Sequence, residues 1–245
     1  MDEMIEQSYD GYKLYIYKDK IELSSNVSNF IVNQIFQTLK IKDRFQFCVS
    51  GGSTPKSVYK LLSEIDIEWE KVDIFLGDER CVDPKSELSN SLMLKNSLLT
   101  KYGSKAFFYE IFSDKKVDDN ISKNLLISKI VEKCNGQPPS FDLTLLGLGD
   151  DGHTASLFPY QKDNNADDLV IFNEGKGLKR ISLTPKVLSA SSNIIFLVSG
   201  ASKQLALQRL LDKDESQERT PSKLIKSSNQ ISIFCDEESS KELSI

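Results

Sequence analysis

Four short runs of apolar, β-favouring residues, at 45–49, 72–76, 141–146 and 194–198, each stop at a polar or glycine-rich segment: 50–54, 77–80, 147–154 and 199–203. Between them lie stretches with apolar residues at helical spacing. Parallel neighbours in a sheet need long crossovers, usually helices, so this alternation predicts an α/β chain with a mostly parallel sheet and helices on both faces. Ligands of open parallel sheets bind outside the carboxyl ends of the strands. Four segments distant in sequence are therefore expected to border one cleft.

The remaining elements follow from periodicity. A first strand is expected at 14–17. A helix over 25–40 sets Val27, Phe30, Ile31, Ile35 and Leu39 on one face. The helix after Pro55 is expected to turn Val58, Leu61, Leu62 and Ile65 inward. Further helices are expected at 92–99, at 118–134 with Ile121, Leu125, Ile130 and Val131 at helical spacing, and at about 202–211. Strands are expected at 105–112, 181–183 and 231–234, the last closing the sheet. The polar stretches 161–168 and 212–222 read as solvated loops.

With 245 residues, 39% of them hydrophobic, the chain has enough apolar material for one α/β domain over 1–245, and no linker forces a boundary. Its net charge of -5 argues against a nucleic-acid surface, whereas a small anion needs only one or two well-placed cations. The apolar run at 194–198 is too short to cross a bilayer, so no membrane association is expected. The first ten residues are acidic and polar, unlike a signal peptide. Cys48, Cys81, Cys134 and Cys235 form no CxxC pair and read as reduced thiols. A cytoplasmic location is expected.

The turn Ser50-Gly51-Gly52-Ser53-Thr54-Pro55 lets the backbone approach a ligand closely. Ser53 or Thr54 is expected to cap the next helix, with Pro55 at its first position. Exposed N–H groups there would hold an anion; an ordinary capped strand-to-helix turn has the same sequence. In Gly77-Asp78-Glu79-Arg80 the guanidinium could grip a phosphate with two parallel hydrogen bonds, or be held by the neighbouring carboxylates. The segment 147–154 contains His153, the sole histidine and so the only imidazole that could act as a base near neutral pH. Asp150 and Asp151 lie close enough in sequence to orient it. Lys203, in the first turn of a helix, opposes the helix dipole unless an anion binds there.

Together these segments resemble the 6-phosphogluconolactonase family. The matching text is SGGSTP at 50–55, GDERCV at 77–82 followed by Ser89-Asn90, FDLTLLGLGDDGHTASLFP at 141–159, RISLT at 180–184 and SGASKQLAL at 199–207. The resemblance implies a Rossmann-like fold, shared with glucosamine-6-phosphate deaminases and ribose-5-phosphate isomerases, and no metal or organic cofactor. It implies hydrolysis of 6-phospho-D-glucono-1,5-lactone to 6-phosphogluconate in the oxidative pentose phosphate pathway, functionally coupled to glucose-6-phosphate dehydrogenase. Carried onto this chain, it makes His153 the base and Asp151 its orienting partner. Gly51, Gly52, Ser53, Thr54, Asp78, Arg80 and Lys203 would hold the substrate. Deaminases share the SGG-TP turn and the GxDGH loop but have a glutamate five residues after the histidine, where this chain has Phe158, and tend to carry tyrosine in place of Arg80. Both differences favour the lactonase. Departures from the lactonase pattern are Tyr160, where the family has glycine, the polar loop after it, and Pro185 arriving one residue early.

Overall fold

The computed structural model describes residues 5–112, 119–165 and 167–243. A hairpin of β1 (Ile5–Tyr9) and β2 (Tyr12–Tyr17) leads into helix α1 (Lys20–Leu39). Asp19 caps α1, its carboxylate accepting from the N–H groups of Ile21 and Glu22 at 2.8 and 2.9 Å. Then come β3 (Phe45–Val49), α2 (Ser53–Ser63), β4 (Val72–Leu76), β5 (Asp78–Arg80), α3 (Asn90–Lys95), β6 (Phe107–Tyr109) and α4 (Asp119–Lys133). The chain continues through β7 (Leu143–Gly147), β8 (Val170–Gly175), β9 (Leu178–Leu183), α5 (Pro185–Ser189), β10 (Asn193–Val198), α6 (Gln204–Leu211), β11 (Ile231–Asp236) and α7 (Glu237–Ser240).

Eight strands form the main sheet in the order β1-β2-β11-β10-β7-β3-β4-β6. Every pairing is parallel except that of β1 with β2. β3 and β4 are buried at every position, which explains why they read as continuous apolar runs rather than alternating ones. Asp73 is buried within β4 and is met by a two-pronged hydrogen bond from Arg44, both contacts at 2.7 Å. The fold is thus the mixed α/β, mostly parallel arrangement expected.

A second, antiparallel sheet has the order β5-β9-β8. Gly77 joins it to the main sheet: its N–H donates to Val49 O, and Leu183 N–H donates to Gly77 O, both at 2.9 Å. In this second sheet Asp78–Arg80, expected only as a polar segment after β4, forms a strand, and the strand expected at 181–183 is the central member, longer at Leu178–Leu183.

Other expectations need revision. β11 does not close the sheet; it lies between β2 and β10. The strand expected over 105–112 is only three residues long. Leu61 points outward at 41% exposure, and on α4 Ile121, Leu125 and Val131 are exposed while Leu126 and Ile130 face the core. Apolar spacing alone could not choose between faces, because Leu125 and Leu126, and Ile130 and Val131, are adjacent and fit either one. Nor are the polar stretches wholly solvated: Asn164, Thr220 and Ser222 are buried. The helix-capping expectation also fails, since Gly52 caps α2 with φ 116° and neither hydroxyl makes a cap bond.

Candidate active site

The carboxyl ends of β3, β7 and β10, together with β5 and β9, surround an open cleft of about 200 Å³. Gly51, Gly52, Ser53 and Thr54 line it, as do Asp78, Arg80, His153 and Lys203. Asp151 touches the cleft only through His153. The structure therefore gathers the four segments around one hollow.

The 50–54 turn is pinned from below. Tyr59 Oη accepts from Ser50 N at 3.1 Å and donates to Ser50 O at 2.8 Å. The absent Cβ at 51 leaves room for Asn90: a Cβ there would lie 1.9 Å from Asn90 Oδ1 and would displace the amide. Asn90 in turn donates to the carbonyl of Asp78 at 2.9 Å. Behind it, the buried Glu79 carboxylate accepts from the backbone N–H groups of Arg80, Asn90 and Ser91 and from the Ser89 hydroxyl. Burial pushes the Glu79 pKa up, opposed by those N–H donors.

Arg80 is held by neither neighbouring carboxylate. Its Nη1 donates to Leu88 O at 2.6 Å, while its buried Nε has no protein partner among the described residues. The buried Ser50 hydroxyl is also unpartnered. A buried polar group left unpaired costs about 1–3 kcal/mol, and a polar ligand in the cleft would remove that penalty. The cation that Asp78 faces is instead Arg180, which is 6% exposed, with its Nη1 3.7 Å from Asp78 Oδ2. Asp78 Oδ2 also accepts from Ser156 Oγ. Lys203 closes a 3-10 turn, Ala201–Lys203, just before α6. Its amine is half-buried, and burial lowers its pKa.

The histidine loop closes on itself. Gly149 N–H donates to His153 O at 2.8 Å, and Gly152 N–H donates to Gly149 O at 3.0 Å. Thr154 Oγ1 ties the loop to Gly147 O at 2.8 Å. His153 Nδ1 is hydrogen-bonded to Asp151 Oδ1, which also accepts from the His153 backbone N–H at 3.1 Å. Burial alone would raise the Asp151 pKa, but the hydrogen bond and charge of His153 outweigh it and hold the carboxyl well below the usual range. With Nδ1 engaged, Nε2 is the nitrogen left for chemistry; it has no hydrogen-bond partner among the described residues. Asp150 plays a different part: it accepts from Lys176 Nζ at 2.8 Å. Asp150, Asp151 and His153 bring three ligand-type atoms within 4.8 Å of one another. Because Lys176 and the imidazole already engage the two carboxylates, the group reads as a dyad beside an ion pair, not as a metal ligand set.

The family described as glucosamine-6-phosphate isomerases/6-phosphogluconolactonase matches residues 18–233. This chain is a member of that family. A 6-phosphogluconolactonase of Nostoc sp. is 30% identical over 236 residues, covering 94% of this chain and 98% of the relative. The crystal structure of 6-phosphogluconolactonase from Thermotoga maritima superposes with a TM-score of 0.79 at 28% identity, covering 91% of this chain and 98% of that one. The fold is likewise shared with a 6-phosphogluconolactonase structure from Shewanella baltica, with a TM-score of 0.83 at 23% identity. No described helix is long and apolar enough to cross a membrane.

Among the polar residues that line the cleft, Asn90, Arg180 and Ser199 had no role assigned from sequence. Arg180 left a signal only through the RISLT match; within LKRISL it follows a lysine, outside the buried Ile-Ser-Leu half, and is easily taken for a solvent-facing residue. Asn90 and Ser199 are neutral and stand in the sequence only as part of the family-like text at 89–90 and 199–207, with nothing in their chemistry to mark them. Their importance comes from contact with Gly51 and from the Ser199 hydroxyl donating to Asp236.

Proposed function

We propose that the chain hydrolyses 6-phospho-D-glucono-1,5-lactone to 6-phosphogluconate. The observation that carries this reading is that the only imidazole opens onto the same cleft as the 50–54 turn and three cationic side chains. A phosphate would bind the N–H groups of Gly51 to Thr54, Arg80 and Lys203. Charge-assisted hydrogen bonds of this kind contribute about 1.5–3 kcal/mol each. The lactone end would lie toward His153.

Asp151 fixes the tautomer: with Nδ1–H donating to the carboxylate, Nε2 carries the lone pair. Nε2 takes a proton from water as the water oxygen attacks the ester carbon. The resulting imidazolium then returns that proton to the ring oxygen as the C–O bond breaks. General-base assistance contributes about 10²–10⁴ in rate. The family also contains amino-sugar isomerases. The buried, apolar Phe158 beside His153 supports the lactonase reading, because it offers no second carboxyl for ring-opening proton transfers. The enzyme would act in the cytoplasm, consuming the lactone released by a glucose-6-phosphate dehydrogenase.

The test is pH-stat hydrolysis of freshly generated lactone with the spontaneous rate subtracted. The wild-type chain should add a saturable rate that His153→Ala loses by at least 10²-fold. A wild-type rate no faster than the spontaneous one, or ammonia release from glucosamine 6-phosphate, would overturn the reading.

A further inference from the structure

Phe158 sits where packing alone does not account for its neighbours. It is 5% exposed, yet its ring is shared by two groups that carry charge. The ring centroid lies 4.7 Å from that of the His153 imidazole at an interplanar angle of 35°. The Arg180 guanidinium carbon lies 5.2 Å from the same centroid. The ring is also confined: a Cβ on Gly175 would fall 2.1 Å from Phe158 Cε2, so the missing side chain at 175 is what makes room for it. Gly175 O accepts from Arg180 Nε at 3.3 Å, so the residue that admits the ring also steadies the guanidinium.

The backbone of Phe158 is fixed just as firmly. Its carbonyl accepts from the buried Asn164 Nδ2 at 2.7 Å. Asn164 Oδ1 accepts from Asn173 Nδ2 at 3.0 Å, and Asn173 Nδ2 also donates to Ser156 O at 2.8 Å. The second sheet therefore holds one aromatic ring at a set place against the imidazole.

We infer that Phe158 is a positioning residue for His153, holding the imidazole in register with Asp151 and offering a π-face to the imidazolium that forms when the base takes its proton. This rests on the reading of His153 as the base. An aromatic face attracts a cation through its quadrupole, so the contact strengthens as charge develops. The charged groups around the imidazole are Asp151 and Asp150 on its own loop, Lys176 from the β8–β9 turn, Lys203 before α6, and Arg180 with Asp78 from the second sheet. Phe158 is the aromatic ring the structure sets against the imidazole, and it carries no charge of its own.

A single histidine makes the test direct, because one imidazole resonance set reports His153 without assignment. Two variants are compared with wild type by NMR titration and by the pH profile of kcat/KM. Phe158→Leu keeps an apolar side chain but removes the π-face; Gly175→Ala keeps the ring but displaces it. Both should lower the imidazole pKa, by about half a unit for Phe158→Leu, the size of one cation–π contact. The acid limb of the profile should move with it, and kcat should fall about tenfold with KM within about twofold, as expected for a misplaced base. A lower Tm with titration and profile unchanged would mean that Phe158 only fills space, and the inference fails. Should Phe158→Leu not fold, Gly175→Ala decides by the same readouts. Full turnover in His153→Ala would refute the base assignment but leave the imidazole titrations of the two variants as they are, so the two failures are distinguishable.

Discussion

Replacing Gly149 with Ala perturbs the dyad by a calculable amount. The added methyl would lie 1.9 Å from His153 Nδ1, 2.2 Å from Cε1 and 2.7 Å from Asp151 Oδ1, whereas ordinary van der Waals contact begins near 3.4 Å. The imidazole must retreat by about 1.5 Å, or the loop must open, breaking the bond from Gly149 N–H to His153 O. Gly149 is not among the glycines with positive φ, so alanine is tolerated by the backbone and the effect is steric. Overpacking of this kind costs about 1–3 kcal/mol, which in a chain of this size lowers Tm by roughly 2–4 °C for each kcal/mol. Turnover should fall further, by about 10²-fold or about 2.7 kcal/mol, because a catalytic group misplaced by about 1 Å loses that much. The assay is lactone hydrolysis in the pH-stat, with thermal unfolding to confirm the fold. Gly51→Ala is the counterpart: its methyl would meet Asn90 Oδ1 at 1.9 Å, so it should raise KM and leave the imidazole titration unmoved. A folded Gly149→Ala protein with kcat within twofold of wild type would refute the geometric reasoning.

Four further outcomes are expected. Lys203→Ala should raise KM about 10–100-fold with little change in kcat, the loss of one charge-assisted phosphate contact. Burial lowers the Lys203 pKa, so inorganic phosphate, measured calorimetrically, should bind less tightly as pH rises through a value below the ordinary lysine pKa of about 10.4, where the cation is lost. The depressed Asp151 carboxyl stabilises the fold above its unfolded-state pKa, and that contribution is lost as pH falls through the lower folded value. Wild type and Asp151→Asn should therefore converge in urea midpoint as pH drops below about 4. Arg180→Met should destabilise the fold by about 3 kcal/mol, because Asp78 is left buried without its counter-charge, and Asp78→Asn added to it should recover part of the loss; an additive double variant would show that the two are uncoupled.

Much of this molecule was legible in its sequence. β3 and β4 lie at the residues their apolar runs marked, because a strand buried on both faces has no choice of register to make. The strand-end rule placed Gly51, Gly52, Ser53, Thr54, Arg80, His153 and Lys203 around one cleft, since topology carries those ends to the same edge of the sheet. Spacing offered both Asp150 and Asp151 as partners of His153, and the resemblance singled out Asp151; the structure sets Asp151 on the ring and Asp150 on Lys176.

What tertiary structure decided is everything that depends on contacts between distant segments. β5, β8 and β9 form a sheet of their own, and the burial of Asp78 against Arg180 exists only because 102 positions of chain bring them together. Ser53 and Thr54 are left uncapping because Gly52, at φ 116°, takes the cap position and both hydroxyl residues fall inside α2. Phe158 reads in sequence as one more apolar residue. Its placement against His153 and Arg180 follows from an absent Cβ at Gly175 and from the asparagine bonds that hold its carbonyl. Periodicity and local chemistry act within a turn or a strand and can be read from composition along the chain. Close packing is a relation among side chains remote in sequence, and only the folded arrangement specifies it.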